Sequence, residues 1–125
     1  MSDFSLEIIK EGEIIIIKTS GYLNNVGGEK ISEACYSEIE NGSKYFLLDL
    51  ENSKVVNSIG VSILIEVIEK IEEIEGKLGY YNLAPIVEKT FKIMGISNYS
   101  TIFQNKDDAI SEFSSILKLL FLKIS

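Results

Sequence analysis

Hydrophobic and polar residues alternate at the start of the chain in a way that predicts two paired strands. Phe4, Leu6 and Ile8 recur at every second position, as on the buried side of an edge strand. Residues 10–12, Lys-Glu-Gly, supply a turn. The four consecutive isoleucines at 14–17 predict a strand that is buried on both faces and therefore central in a sheet. The short connection favours an antiparallel hairpin.

A helix is predicted at 28–40, after this hairpin. Its apolar positions share one face, and residues 41–42, Asn-Gly, are typical of a helix end. Gly27 and Gly28 precede it without the further glycines or the lysine of a phosphate-binding loop, so we interpret them as flexible loop residues. The next apolar run, 45–50, predicts a second interior strand. Because a helix lies between the two strands, they are expected to be parallel.

Residues 55–76 lead from this strand into the most regular helical pattern of the chain. The chain turns at Gly60, and from Leu64 onward apolar residues recur at i, i+3, i+4 and i+7. Ser58 is therefore placed at a helix N-terminus, where backbone N–H groups are unpaired and the helix dipole is positive. Two interpretations stay open. Either Ser58 or Asn57 caps the helix, or Ser58 accepts a phosphoryl group that switches off a partner interface.

Shorter segments complete the predicted fold. A strand at 77–81 is followed by a helix that opens at Pro85, and residues 101–103 predict a short edge strand. Asp107 and Asp108 begin a last helix, where their charges match the N-terminal dipole. Together these elements predict a single α/β domain, in which a mixed sheet with a parallel centre is packed by about four helices.

The last segment, residues 116–124, is apolar on nearly every side. It is far shorter than the ~20 residues needed to span a bilayer. Exposed apolar surface favours association, so three packing partners are open: its own domain, a second copy of the chain in a homodimer, or a membrane surface. We accordingly divide the chain into a domain at 1–113 and an apolar helical extension of the same domain at 114–125.

The residue inventory excludes several classes of site. Among 125 residues there is no histidine and only one cysteine, Cys35, which lies in the apolar stripe of a predicted helix. An intrachain disulfide framework, the usual zinc sites and Ser-His-Asp or Cys-His catalysis therefore cannot be assembled. We predict no metal, no cofactor and no catalytic residue. A small enzyme that uses Asp49 with Glu51 is the least favoured hypothesis, since nothing in the sequence brings two acids into one pocket.

Charge narrows the choice of partners. Nineteen acidic and twelve basic residues give a formal charge of −7, and no cluster of basic residues is present to bind nucleic acid. Glu69, Glu72 and Glu75 make the polar side of the long helix acidic, as expected for a solvated face or for a surface that docks a basic partner. The N-terminus lacks the basic and apolar regions of a signal peptide, so we expect a cytoplasmic protein without a transmembrane segment.

Several segments, in their order and spacing, resemble the STAS domain of anti-sigma factor antagonists. They are Phe46-Leu47-Leu48-Asp49-Leu50, Asn57-Ser58-Ile59-Gly60, Gly95-Ile96, Ile102-Phe103 and Asp107-Asp108-Ala109. The similarity runs from about Phe4 to about Phe113. In that family a Ser or Thr in the pattern Asp-Ser-(Ser/Thr)-Gly is phosphorylated by an anti-sigma factor that is also a kinase. By position, the resemblance implies phosphorylation of Ser58.

The resemblance also implies a partner-binding surface. The loop Gly21-Tyr22-Leu23-Asn24 resembles the family's Gly-x-Leu-Asp loop, which lies near the phosphorylated turn, although a plain polar loop is the alternative. The implied partner is an anti-sigma factor with serine kinase activity. The implied binding residues are Gly21, Tyr22, Leu23, Asn24, Asn57, Ser58, Ile59, Gly60 and Ser62.

Two departures from the family pattern favour a second hypothesis. Asn57 stands where the family has Asp, and Ile59 stands where a second hydroxyl residue is usual. Asn can cap a helix but carries no charge. The alternative keeps the fold without the phosphate: a STAS scaffold or regulatory subunit in a lipid-transport or stress-signalling assembly. The apolar end of the chain also favours it.

Overall fold

A computed structural model describes residues 3–124 of the chain. The two predicted ranges, 1–113 and 114–125, include residues 1, 2 and 125, which lie outside the described residues. The described chain forms five strands, four α-helices and one short 3₁₀ helix. They are β1 (Ser5–Glu11), β2 (Ile14–Ser20), α1 (Asn25–Glu40), β3 (Tyr45–Asn52), α2 (Ser58–Glu73), β4 (Lys77–Tyr81), α3 (Pro85–Ile93), the 3₁₀ helix (Ile96–Asn98), β5 (Thr101–Ile102) and α4 (Lys106–Ile124). The predicted α/β class is confirmed.

The strands form one mixed sheet in the order β1-β2-β3-β4-β5. β1 pairs antiparallel with β2, in a register that places Ile8 opposite Ile17. The remaining pairs, β2 with β3, β3 with β4 and β4 with β5, are parallel. The predicted hairpin and the predicted parallel centre are therefore both confirmed.

The strand order decides where the helices lie. Each parallel connection moves one strand further in the same direction, and right-handed crossovers then place α1, α2 and α3 on the same face. The isoleucine run divides accordingly. Ile15 and Ile17 join the core beneath these three helices, whereas Ile14 and Ile16 join a second core on the opposite face.

A single helix, α4, covers that second core. Phe113 of α4 lies edge-on to Tyr45 and to Phe103, with ring centroids 5.6 Å apart in both pairs. Ala109, one turn earlier, is fully buried in the same cluster. Edge-to-face aromatic pairs add stabilisation beyond their buried area. The packing of α4 on this face therefore depends strongly on Phe113.

The apolar end of the chain packs only in part. α4 continues without a break past residue 113, so the predicted division between 113 and 114 falls inside a helix. Ile116 and Leu117 pack against the second core. The four residues that follow Lys118 are largely exposed instead of packing on the second core. Their exposed fractions are 60% for Leu119, 43% for Leu120, 71% for Phe121 and 60% for Leu122.

The interpretation of Gly27 and Gly28 as loop residues was wrong. α1 begins at Asn25, so both glycines are helical, and both are buried. A Cβ on Gly27 would lie 2.8 Å from the Phe4 ring, and one on Gly28 would lie 3.1 Å from the side chain of Ile63. These glycines allow α1 to approach the start of β1 and helix α2 closely. The sequence pattern could not distinguish that packing requirement from loop flexibility.

Cys35 behaves as a core residue, as the apolar stripe predicted. Its side chain is fully buried, and no disulfide is formed. Burial in apolar surroundings disfavours the thiolate and raises the pKa of the Cys35 thiol to about 12. The thiol is therefore held in its unreactive form at neutral pH.

We expect Phe113→Ala to lower the free energy of unfolding by about 3–5 kcal/mol, because it removes a buried aromatic ring from a core that one helix covers. Ser114→Ala is the matched control. Ser114 is the next residue of the same helix and is exposed, so its effect should stay within about 0.5 kcal/mol. Urea denaturation followed by circular dichroism measures both, and equal effects would contradict the packing role of Phe113.

Candidate functional site

Two loops lie side by side where β2 and β3 end, and we call residues 20–24 and 52–57 the paired loops. Leu23 and Val56 form a parallel bridge between them. Three backbone hydrogen bonds also join the loops: from Gly21 N–H to Asn52 O at 3.0 Å, from Leu23 N–H to Val55 O at 2.9 Å, and from Asn57 N–H to Leu23 O at 3.1 Å. The segments around the two predicted motifs are thus brought together by the backbone.

Each of the paired loops ends in an asparagine that caps a helix. The Asn24 Oδ1 accepts a hydrogen bond from Gly27 N–H at 3.1 Å at the start of α1. The Asn57 Oδ1 accepts one from Gly60 N–H at 2.8 Å at the start of α2. The capping residue of α2 is therefore Asn57, and Ser58 is the first helical residue. Two positive helix ends emerge from the same pair of loops.

Gly60 allows α2 to start against the first loop. A Cβ at this position would overlap the carbonyl oxygen of Leu23 and would lie 3.0 Å from the carbonyl oxygen of Asn24. These contacts are with backbone atoms, which cannot move aside as a flexible side chain can. Gly60 is therefore required for close packing between the paired loops and α2.

The Ser58 side chain is exposed at the first position of α2. Its hydroxyl makes no hydrogen bond with any residue in the range 3–124. Its carbonyl oxygen accepts a bond from the Ser62 hydroxyl at 2.8 Å. The N–H groups of Ser58 and Ile59 likewise donate to no described residue, as is usual for the first turn of a helix. One hydroxyl and two backbone donors thus face solvent at a positive helix end.

The paired loops and the starts of α1 and α2, where Ser58 lies, also carry exposed apolar side chains. Their exposed fractions are 44% for Tyr22, 48% for Val26, 55% for Val55 and 56% for Ile59. We call these four residues and Ser58 the Ser58 surface. Sequence reasoning identified Tyr22 and Ile59 but missed Val26 and Val55. The available signal was that both valines stand next to a predicted loop and belong to no periodic apolar pattern.

The predicted binding residues differ in how far they are exposed to solvent. Tyr22, Ser58, Ile59 and Ser62 are exposed, while Gly21, Asn24 and Asn57 are partly exposed. Leu23 is fully buried and Gly60 is buried. The side chain of Leu23 therefore supports the Ser58 surface from beneath, and a contact between Leu23 and a partner would have to involve its backbone.

Asp49 has a structural role at the end of β3. It is 8% exposed, and its Oδ1 accepts hydrogen bonds from Glu51 N–H at 3.1 Å and from Asn82 Nδ2 at 3.2 Å. The backbone of Glu51, rather than its carboxylate, contacts Asp49, and Glu51 itself is exposed. Asp49 thus joins the last residues of β3 to the loop that follows β4, and it does not form a carboxylate pair with Glu51.

The described residues form neither a metal-binding cluster nor a membrane-spanning helix. Between residues 3 and 124, no group of three or more His, Cys, Asp or Glu side chains is placed to hold a metal ion. In the same part of the chain, no helix combines the length and the apolar character needed to cross a membrane.

Comparisons with known proteins agree with this architecture. The model of the STAS domain family matches residues 5–109. BtrV of Bordetella bronchiseptica, whose name provisionally assigns it to the anti-sigma factor antagonists, is 21% identical over 104 residues, which are 83% of this chain and 90% of BtrV.

Solved structures show the same fold. An anti-sigma factor antagonist from Mycobacterium paratuberculosis is similar to this chain with a TM-score of 0.78 and 17% identity, and the match covers 88% of this chain and 93% of the other. The phosphorylated form of the Bacillus cell fate determinant SpoIIAA has a TM-score of 0.67 and 21% identity, covering 89% of this chain and 99% of SpoIIAA.

We expect Gly60→Ala to destabilise the fold by about 1–3 kcal/mol, because the added methyl group must displace the backbone of the first paired loop. Ser62→Ala, an exposed position two residues further along α2, should change stability by less than about 0.5 kcal/mol. Thermal unfolding of the two variants beside the unmodified protein makes the comparison. An equal melting temperature for Gly60→Ala would show that the close approach is not required.

Proposed function

This chain belongs to the STAS domain family, and we propose that it is an anti-sigma factor antagonist whose binding to an anti-sigma factor is switched off by phosphorylation of Ser58. The observation that carries the proposal is the exposed Ser58 hydroxyl, without a hydrogen-bond partner among the described residues, at the first position of α2. The partner is an anti-sigma factor with serine kinase activity. The names of the relatives, BtrV and the Mycobacterium protein among them, support the antagonist class.

The start of α2 is suited to a phosphoryl group. Ser58 and Ile59 offer backbone N–H donors that no described residue uses, and the helix dipole favours negative charge at this end. The Asn57 amide keeps its capping bond to Gly60 and adds no negative charge that would repel a phosphate. A phosphate on Ser58 is therefore expected to leave the fold intact.

The same phosphate would oppose partner binding. A partner that covers the Ser58 surface would bury Tyr22, Val26, Val55 and Ile59 and gain apolar contact. A phosphoryl group adds roughly −1.5 to −2 charge in the middle of that contact. Burial of this charge carries a large desolvation cost unless the partner supplies matching cations. Modification of one hydroxyl can thus separate the two proteins.

In this proposal the kinase is the partner, and the chain itself is its substrate and not an enzyme. The sequence supplies no histidine, the single cysteine is buried with a raised pKa, and the Asp49 carboxylate accepts hydrogen bonds from Glu51 and Asn82. Anti-sigma factors act on the transcription machinery, so the protein would work in the cytoplasm, without a nucleic-acid contact of its own.

A second candidate function keeps the fold and the Ser58 surface but needs no phosphate. The chain would then be a constitutive STAS scaffold or regulatory subunit in a lipid-transport or stress-signalling assembly. One observation favours it: α4 extends beyond the matched residues 5–109 and exposes Leu119, Leu120, Phe121 and Leu122. A helix end of this kind provides further apolar surface for assembly.

Phosphorylation of Ser58 should be detectable as a phosphate-sized increment in the intact mass of the protein isolated from its native cells during growth or stress. Ser58→Ala should lack the increment, and Ser62→Ala, one turn further along α2, should keep it. In binding assays with the anti-sigma factor, the phosphorylated form should bind at least about tenfold more weakly, equivalent to about 1.4 kcal/mol. An unmodified mass in every condition would favour the constitutive scaffold.

The apolar residues of the Ser58 surface should be needed for partner binding. Ile59→Glu places a charge in the buried contact and should weaken binding of the unphosphorylated protein by at least about a hundredfold, or about 2.7 kcal/mol. Ile93→Glu is the matched control, because Ile93 is 73% exposed at the far end of α3. Calorimetric titration with the anti-sigma factor compares them, and equal losses would place the contact elsewhere.

A further inference from the structure

A groove opens between the second half of α2 and the segment that joins α3 to β5. Its volume is about 340 Å³. The floor is apolar and is made by Ile65, Ile68, Met94 and Ile96. Glu69 and Glu72 line it from α2, and Tyr99, 66% exposed, lines it from the other side. We call it the acidic groove. It has room for one or two large apolar side chains.

The charge along this groove is not balanced within the chain. Residues 66–75 contain five glutamates and one lysine. The ion pairs formed by the described residues join Lys10 to Glu38, Lys92 to Glu88 and Lys106 to Glu11, and none involves a glutamate of this stretch. The apolar floor therefore favours an apolar segment, and the acidic side favours one that carries lysines.

The end of α4 has the complementary character. Residues 113–125 contain two lysines, Lys118 and Lys123, and no acidic residue, although the whole chain carries a charge of −7. Between the lysines, Leu119 and Leu122 are each 60% exposed. They are three residues apart, so they lie on one side of the helix, with a lysine next to each. We call residues 118–123 the basic tail.

The basic tail cannot reach the acidic groove of its own chain. α4 packs on the face of the sheet that carries the second core, whereas α2 and the groove lie on the opposite face. We propose that the basic tail of one copy docks into the acidic groove of a second copy. Leu119 and Leu122 would cover the apolar floor, and Lys118 and Lys123 would face the glutamates of α2.

Charge favours this arrangement over contact between two tails. A symmetric tail-to-tail dimer would bring four lysines together without a carboxylate, which opposes association. If the contact is reciprocal, each tail occupies the groove of the other copy and a twofold dimer closes; if it is one-sided, the copies form a ring or an open chain. Glu69 lies about 16 Å along the helix from Ser58, so the assembly leaves the Ser58 surface accessible.

The test is the mass of the full-length protein in solution as a function of concentration and salt. Analytical ultracentrifugation at low ionic strength should show a mass that rises with protein concentration from that of the monomer to that of a closed dimer, a closed ring or a growing chain. Raising the salt concentration should shift association to higher protein concentration, because screening weakens the lysine–glutamate attraction. A monomer at every concentration would overturn the proposal.

Charge reversal identifies the two surfaces separately. We expect Glu69→Lys with Glu72→Lys, and separately Lys118→Glu with Lys123→Glu, each to weaken self-association by at least about tenfold. Mixing these two variants should restore a heterodimer, since one supplies an intact tail and the other an intact groove. A chain with all four changes should associate again. Glu29→Lys with Glu33→Lys, two exposed positions on α1, is the charge-matched control and should associate at least as well as the unmodified protein.

Two further results would reject the tail-to-groove contact and point to another occupant of the basic tail. Association that is insensitive to Glu69→Lys with Glu72→Lys but responds to the tail variant would indicate a tail-to-tail dimer. A chain that stays monomeric but co-sediments with anionic phospholipid vesicles through Lys118 and Lys123 would indicate a membrane surface as the occupant. Circular dichroism of each variant confirms that the fold is retained, so that loss of association is not loss of structure.

Discussion

The backbone of Leu23 is the fixed point on which the candidate site depends. Its N–H and its carbonyl both bond to the second of the paired loops, its side chain is fully buried, and its carbonyl oxygen occupies the space that a side chain at residue 60 would need. One residue thus sets the separation of the two loops and the starting position of α2. Ser58 has a defined position at the surface because Leu23, in the neighbouring loop, is held by its backbone hydrogen bonds and its buried side chain.

The residues that fix the positions of the paired loops and helix starts are separate from the residues that are exposed for contact with a partner. Leu23, Gly60 and the capping oxygens of Asn24 and Asn57 hold the frame, whereas Tyr22, Ile59 and the two valines present the surface. A neutral cap at residue 57 fits this separation, because Asn and Asp cap a helix about equally well and differ chiefly in charge. The departure from the family's Asp therefore changes the electrostatics of the surface and leaves its support unchanged.

Local patterns predicted the elements well, but they predicted poorly how those elements approach one another. The isoleucine run showed a strand buried on both faces, and the spacing after Gly60 placed Ser58 at a helix start, because both signals are contained within a few residues. The packing role of Gly27 and Gly28 depends on Phe4 and Ile63, which are distant in sequence. Exposure of Val26 and Val55 likewise depends on how the paired loops meet, and the only local signal of it was that neither valine belongs to a periodic apolar pattern.

The cover of the second core by α4 alone also has a consequence for biosynthesis. The strands β1 to β4 and their three packed helices all precede residue 106 in the chain, so the helix that covers Tyr45, Leu47 and Tyr81 on the opposite face is synthesised after them. That face can be covered only once the residues up to Phe113 are available to pack on it. A chain whose translation stops in between would present a fully formed but uncovered sheet, which is the kind of surface that chaperones bind and proteases remove.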